Sequence, residues 1–589
     1  MREFMKMAFA TVVGIFISGF CLMMLGFMVI AGLIASTENT VTTVKDRSVF
    51  VLNLNGNVSE RYLQNPLDKF FGEEFSTYGL DDILNSIQKA KYNDQIAGIY
   101  IEAGNFVCPT ASLQEIRRAL LDFKDSGKFI VAYGGNYTQG TYYLASVADM
   151  VAVNPSGTIS WQGLSAQTMF LKGLLEKIGI DMQIFRVGTY KSAVEPFIAE
   201  EMSEANRRQT EAFIGSIWNS LINDISTSRQ IPADSLNILA DQNLSMSPAN
   251  VYLQSKLADK LMYKDEVLSY LKTLTDRTDG EDLPTLRIED MMNVTSSTVS
   301  SHHAKDHIAI YYAYGEIDNG AATYEEGINS ERVINDLRHL REDEHVKAVV
   351  FRVNSPGGSA YGSEQIWREI SLLKETKPVV VSMGDYAASG GYYISCAADY
   401  IYAEPTTITG SIGIFGMIPN AQKLLEDKLE LHFDGVKTNK LADLGDFSRP
   451  FTPEEATLVQ NMVNEGYALF TKRCAEGRHM PIEKLCEIAE GRVWTGEDAL
   501  KLGLVDELGG IYQALDKAAS LAQLTDYTAR SYPAQEDKWL RLLNMKADHY
   551  IQSQLHSAMG DFYPGIRFMQ HIKQADRIQA RLPFELSIH

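Results

Sequence analysis

Pro378-Val-Val-Val-Ser-Met-Gly-Asp-Tyr-Ala-Ala-Ser389-Gly-Gly-Tyr-Tyr393 runs from a β-branched apolar stretch into small residues grouped around one serine. It reads as a buried strand that enters a helix through a tight turn. The same pattern stands 250 positions earlier, where Gly134, Gly140, Tyr142, Tyr143, Ala148, Asp149, Pro155 and Gly163 fall on Gly384, Gly390, Tyr392, Tyr393, Ala398, Asp399, Pro405 and Gly413. At that offset Gln139 takes the place of Ser389, and Trp161 that of Ser411. A duplicated fold that keeps its glycines but changes its hydroxyls suggests one working site built from two unequal halves.

Outward from this motif, each half alternates short apolar runs with helical ones. Ser48-Val-Phe-Val-Leu-Asn-Leu-Asn-Gly56 heads the first half as a buried strand ending in a turn, and His307-Ile-Ala-Ile-Tyr-Tyr-Ala-Tyr-Gly315 heads the second. Ile96-Ala-Gly-Ile-Tyr-Ile precedes a helix around 113–123, and Val346-Lys-Ala-Val-Val-Phe-Arg-Val precedes one around 363–373. This alternation predicts an α/β fold with a largely parallel sheet in each half. Between them, Asn293-Val-Thr-Ser-Ser-Thr-Val-Ser-Ser-His-His is polar and low in complexity, as a linker is. The expected organisation is a tip and anchor (1–37), a first domain (47–292), a linker (293–306), a second domain (307–525) and a tail (526–589). In the tail, Trp539-Leu-Arg-Leu-Leu-Asn-Met carries an apolar helical face, and packing on a neighbouring subunit is expected.

From Met7 to Thr37 there is no charged residue, and about 20 apolar residues suffice to cross a bilayer. Arg2 and Lys6 precede the stretch, so the positive-inside rule predicts a cytoplasmic N-terminus and an exported body. The net charge of −21 argues against a nucleic-acid partner, which needs a basic surface to neutralise phosphates. Five cysteines show neither a disulfide framework nor zinc spacing; buried free thiols are expected, with Cys474–Cys486 the one candidate disulfide.

Ser389 lies where a tight turn presents a hydroxyl at a helix N-terminus, among backbone N–H groups that favour developing negative charge. Small residues also serve close packing, so the serine needs corroboration. Asn354-Ser-Pro-Gly-Gly-Ser359 follows the preceding strand. Paired glycines let a backbone N–H turn toward a substrate carbonyl, as an oxyanion hole requires. The first half has Val107 and Cys108 at the glycine positions. Glycine pair and serine therefore occur together in one half and are missing together from the other, which turn chemistry alone does not predict.

A serine nucleophile needs a base. His307, His339, His345 and His432 have no repeating context and read as surface residues. Lysine serves if burial leaves it neutral. Two candidates stand in related segments: Lys191 in Arg186-Val-Gly-Thr-Tyr-Lys-Ser-Ala-Val-Glu-Pro-Phe197, and Lys440 in Gly435-Val-Lys-Thr-Asn-Lys. No metal or cofactor is expected: there is no His-Glu-x-x-His and no phosphate-binding glycine loop, and His302-His303 lies in the linker.

Tyr-Lys191-Ser-Ala-Val-Glu-Pro-Phe, Ala-Ala-Ser389-Gly-Gly-Tyr-Tyr and Thr-Gly-Ser411-Ile-Gly together resemble the long, tandem-domain form of the bacterial signal peptide peptidase A family, also called protease IV. The resemblance covers the anchor and both halves. It implies a tandem repeat of two ClpP/crotonase-like domains behind an N-terminal transmembrane helix in the bacterial inner membrane, with the catalytic body in the periplasm. It also implies a bowl-shaped homotetramer that cleaves signal-peptide remnants and other hydrophobic peptides with a serine–lysine dyad. Ser389 would be the nucleophile, Lys191 the general base and Ser411 the residue orienting the lysine; the N–H groups of Gly358 and Gly390 would form the oxyanion hole. Lys440 competes for the base, because short single-domain relatives use a lysine from that segment. Asn354 stands where relatives often carry aspartate, a difference expected not to matter. Two other readings compete: a catalytically silent membrane scaffold, which predicts erosion of the dyad, and a crotonase-type acyl-thioester enzyme, which needs no serine–lysine pair.

Overall fold

The computed structural model describes residues 2–36, 41–62, 77–295, 305–319, 327–534 and 578–582. In the first half, strands Thr77–Gly79, Ser48–Ser59, Ile96–Val107, Phe129–Tyr137, Met150–Ile159 and Lys260–Leu261 lie side by side in that order, all parallel, with Thr285–Leu286 also beside Ser48–Ser59. The second half repeats the plan with Ile408–Gly410, Val379–Ala388, Val346–Ser355 and His307–Tyr314, again parallel, and Thr528–Tyr532 at the far edge. Sheets covered on both faces need apolar side chains at consecutive positions. Accordingly Val349, Val350, Phe351 and Val353 are all fully buried.

A third, mixed sheet joins the two halves. Its order is Ile328–Asn329, Ile317–Asp318, Gly357–Ser359, Ile578–Arg581, Phe415–Asn420 and Asp181–Arg186. The first-half strand Asp181–Arg186 crosses to pair antiparallel with Phe415–Asn420, from Arg186 opposite Phe415 to Asp181 opposite Asn420. This crossing carries the segment that follows, with Lys191, into the second half. Periodicity within either half does not reveal it.

The halves also meet through buried polar groups. Arg352, 2% exposed, binds Glu60 through Nε (2.9 Å), Glu115 through Nη2 (2.8 Å) and Ser382 through Nη1 (2.9 Å). Ser112 donates to Asp385 from both N and Oγ (2.8 and 2.7 Å), and Arg118 forks onto Glu404. Asn354 has a structural role here: its Nδ2 donates to Glu60 (2.8 Å) and Asp385 (3.2 Å). A carboxylate at that position could donate to neither.

Helix Arg2–Ser36 contains Phe9–Gly26, with a mean hydropathy of 2.2, and is long and apolar enough to cross a membrane. All five cysteines are free, as expected; Cys396 and Cys474 are buried, Cys108 and Cys486 are half-buried and Cys21 is exposed, and the Cys474 thiol lies against Cys396. Of the tail, the described strands Thr528–Tyr532 and Ile578–Arg581 pair with strands of their own chain. The apolar face of 539–545 and His302-His303 lie outside the described residues.

Candidate active site

Strand Val379–Ala388 ends immediately before Ser389, and helix Gly390–Ser395 begins immediately after it. Ser389 has φ 54° and ψ −113°, a conformation that strains any residue with a Cβ. The bond from its N–H to the Gly410 carbonyl (2.8 Å) helps hold it there. A serine preceding a helix ordinarily turns its oxygen back onto a first-turn N–H. Ser389 makes no such bond, so its hydroxyl is available elsewhere.

Lys191 meets that hydroxyl. It is fully buried, and its Nζ stands 2.8 Å from Ser389 Oγ, 3.0 Å from Ser411 Oγ and 3.1 Å from the Ser411 carbonyl. Among the described residues no carboxylate pairs with it, and desolvation alone holds its pKa well below the usual lysine value. The geometry suits the neutral amine. Two N–H bonds go to the Ser411 oxygens, and the lone pair accepts the Ser389 O–H. Ser411 is itself constrained, with φ 48° and its N–H bonded to the Arg492 carbonyl at 2.7 Å.

The Lys191 stem is set from both halves. The Tyr190 N–H reaches the Glu490 carbonyl (3.0 Å), and a Cβ on Gly491 would stand only 2.7 Å from Lys191 Cβ. Behind it, Glu195 accepts from Ser203 Oγ (2.6 Å) and Asn206 Nδ2 (3.1 Å), while Gln209 Nε2 holds Ser192 Oγ (2.9 Å) and the Tyr190 carbonyl (3.2 Å). Sequence reasoning missed Asn206, Gln209 and Gly491. The Ser-x-x-Glu spacing after Lys191 hinted that the segment was anchored, but nothing local pointed to Gly491.

The two glycine loops converge beside Ser389. Gly357 (φ 103°) and Gly358 (φ 153°) occupy conformations that disfavour side chains. A Cβ on Gly357 would lie 2.8 Å from Gly390 N, and one on Gly358 would lie 2.1 Å from the Ile317 carbonyl oxygen. Gly390 opens its helix, where N–H groups have no intrahelical acceptor. The glycine loop therefore lies against the first turn of the helix that follows Ser389.

The equivalent place in the first half is plugged. Gln139 Oε1 accepts from the Gln162 and Gly163 N–H groups (2.9 and 3.0 Å) and its Nε2 donates to the Gly163 carbonyl (3.0 Å). Trp161 is buried, with its ring 4.8 Å from that of Trp218.

Lys440 lies elsewhere: it is exposed and paired with Glu454. His339, His345 and His432 are exposed, and His307 lies 3.3 Å from the Tyr532 hydroxyl. Lys440→Ala is therefore expected to leave kcat/KM for a peptide substrate within about twofold, since exposed ion pairs contribute little. A tenfold loss in a steady-state assay would return Lys440 to contention.

The model of peptidase family S49 matches residues 122–277, which contain Lys191, and 371–525, which contain Ser389 and Ser411. This covers more than half of the chain. The chain belongs to peptidase family S49. It is similar to Protease 4 of Salmonella typhi, 39% identical over 461 residues, covering 76% of this chain and 73% of that protein. It is also similar to Protease 4 of Haemophilus influenzae, 34% identical, covering 83% and 81%. The chloroplastic serine protease SPPA of Arabidopsis thaliana is 35% identical, covering 82% and 70%. As a member of family S49 this chain is a serine peptidase, with two family regions in tandem on an α/β fold. A likeness to a ClpP1 of Listeria monocytogenes has a TM-score of 0.24 over 35% of this chain and carries no argument about fold.

Proposed function

We propose that this S49 peptidase is a membrane-anchored endopeptidase in which Ser389 is the nucleophile and Lys191 the general base. One observation carries this reading: a buried lysine with no countercharge among the described residues, 2.8 Å from the hydroxyl of a strained serine. Neutral Lys191 takes the Ser389 proton as Oγ attacks the peptide carbonyl. Gly358 and Gly390 N–H groups hold the oxyanion, and the lysinium protonates the leaving amine. Water then hydrolyses the acyl-enzyme by the same route. Ser411 holds Nζ on the reaction line. No metal or cofactor takes part.

The substrates in this reading are signal-peptide remnants and other hydrophobic peptides met at the membrane. The N-terminal helix is the anchor, with the N-terminus cytoplasmic and the body exported from a bacterial inner membrane. The domains, 47–292 and 307–525, are ClpP/crotonase-like, and the assembly is a homotetramer. Support comes from the apolar helix and from the two Protease 4 relatives. The test is hydrolysis of a synthetic signal peptide by the detergent-solubilised full chain, followed by mass spectrometry. Cleavage within the apolar stretch is expected; an untouched peptide beside a cleaved polar one would sink the substrate assignment.

The depressed Lys191 pKa sets a pH dependence. The neutral amine is the active form, so kcat/KM rises with pH as Lys191 loses its proton and falls as acid restores it. The midpoint of that limb is expected well below the usual lysine value of about 10.4. A limb at the ordinary lysine value would exclude Lys191 as the base.

A further inference from the structure

Lys191 stands at the apex of a tight turn. Its backbone has φ −75° and ψ 76°, and the Ser192 N–H closes onto the Tyr190 carbonyl at 2.8 Å, which is an inverse γ-turn. A turn with a single internal bond leaves the direction of its apical side chain to whatever grips its two ends. Gln209, on helix Glu204–Arg229 and 1% exposed, grips both. Its Nε2 donates to the Tyr190 carbonyl (3.2 Å) and to Ser192 Oγ (2.9 Å), the residues on either side of the lysine. Ser192 Oγ donates in turn to Asn206 Oδ1 at 2.9 Å, one turn back on the same helix.

The other end of the Gln209 amide crosses to the second half, where Oε1 accepts the Val493 N–H at 3.3 Å. Val493 opens the strand Val493–Thr495, which runs antiparallel to Ile408–Gly410 with Val493 opposite Gly410. The backbone at this end of the two strands holds both serines. The Gly410 carbonyl accepts the Ser389 N–H (2.8 Å), and the Arg492 carbonyl, next to Val493, accepts the Ser411 N–H (2.7 Å). A donor toward one half and an acceptor toward the other is what an amide supplies. An ionised glutamate would keep the acceptor and lose the donor, and a methionine would have no donor and only a weak acceptor.

We infer that Gln209 is a positioning residue for the peptidase reaction, fixing the Lys191 turn against the strand that holds Ser389 and Ser411; the inference rests on the Ser389–Lys191 reading. Gln209 acts through the residues flanking the lysine and not through Nζ, whose bonds go to Ser389 and Ser411. Without the amide the ends of the turn slacken, Nζ leaves the line to Ser389 Oγ, and water reaches the amine. A better-solvated amine keeps its proton to higher pH. Ser216 supplies the control. It lies on the same helix, and its hydroxyl meets Thr495 Oγ1 at 2.9 Å, so it packs that helix on that strand at a point beyond the Lys191 turn.

Steady-state kinetics across a pH range test this on the detergent-solubilised full chain with a hydrophobic peptide. The variants are Gln209→Met, Gln209→Glu, Ser216→Ala and Ser389→Ala, each also followed by thermal denaturation. Gln209→Met is expected to lower kcat by about 10–100-fold, the scale of a small misplacement of a reacting group. Its KM should stay within about twofold, as for an interaction realised in the transition state, and the acid limb of kcat/KM should move to higher pH. Gln209→Glu should also lose kcat, and it decides the matter if the methionine variant does not fold. Ser216→Ala should keep the wild-type kcat and acid limb even where its thermal midpoint falls. Gln209 variants with wild-type kcat and acid limb overturn the inference; with Ser389→Ala inactive, the Ser389–Lys191 reading still stands. A kcat loss in Ser216→Ala equal to that in Gln209→Met makes Gln209 a packing residue and overturns it as well. A Ser389→Ala variant as active as the wild type removes that reading and this inference together.

Discussion

Ser389→Ala is expected to lower kcat for peptide hydrolysis by about 10⁴-fold or more while leaving the fold intact. The substitution removes one oxygen. It keeps the Cβ, so the strain at φ 54° is unchanged, and Lys191 Nζ retains both Ser411 oxygens. Stability should therefore move by only about 1 kcal/mol, the worth of an ordinary hydrogen bond. Lys191→Met is expected to cost activity on a similar scale, because an unassisted serine hydroxyl is a weak nucleophile. The double variant should be scarcely worse than either single one, since the two groups act as a unit. Steady-state rates, with thermal denaturation of the same preparations, check all three. Ser389→Ala retaining more than about 1% of wild-type kcat would contradict the nucleophile assignment, given the magnitude expected for such a group.

Arg352→Met is expected to produce the largest loss of stability, about 3–5 kcal/mol, because it strips a buried pair of carboxylates of their cation. Glu60 and Glu115 are 6% and 4% exposed and both bind the Arg352 guanidinium, with a second Nη2 contact to Glu60 at 3.2 Å. Burial already raises the Glu60 pKa, and Arg352 opposes that shift. Once the arginine is gone, protonation or water must compensate. Both glutamates come from the first half and Arg352 from the second, so the damage falls on the contact between halves. Activity should fall as well, because Lys191 and Ser389 also come from opposite halves. A triple variant with Arg352→Met, Glu60→Gln and Glu115→Gln should recover part of the thermal midpoint, because neutral amides tolerate burial better than unpaired carboxylates. A single Arg352→Met variant that melts with the wild type would show that the cluster contributes nothing to holding the halves.

Much of the architecture is a local property of the chain. Val379–Ala388 forms a strand because three successive valines favour an extended, two-sided buried backbone. The small residues after it permit the turn into Gly390–Ser395. The repeat itself is visible because glycine and tyrosine recur at one fixed offset. Where reasoning from sequence fell short, the missing information was non-local. Asn354 looked indifferent, yet its amide bridges two carboxylates from different halves. Sequence proximity suggested Cys486 as the only candidate partner of Cys474, whereas its neighbour in space is Cys396, at the end of the helix after Ser389.

The amino-acid sequence by itself determined the tandem α/β plan, the asymmetry of Ser389 against Gln139, and the glycine loops beside the serine. Each rests on short-range backbone preferences and apolar periodicity. Only the tertiary structure placed Lys191, and not Lys440, beside Ser389. The two lysines differ in burial and partners rather than in chemistry: one is enclosed with no countercharge among the described residues, the other is exposed beside Glu454. The tertiary structure likewise placed Ile578–Arg581 between Gly357–Ser359 and Phe415–Asn420. Desolvation and long-range strand register arise from which segments exclude water together, and no window along the chain contains that information.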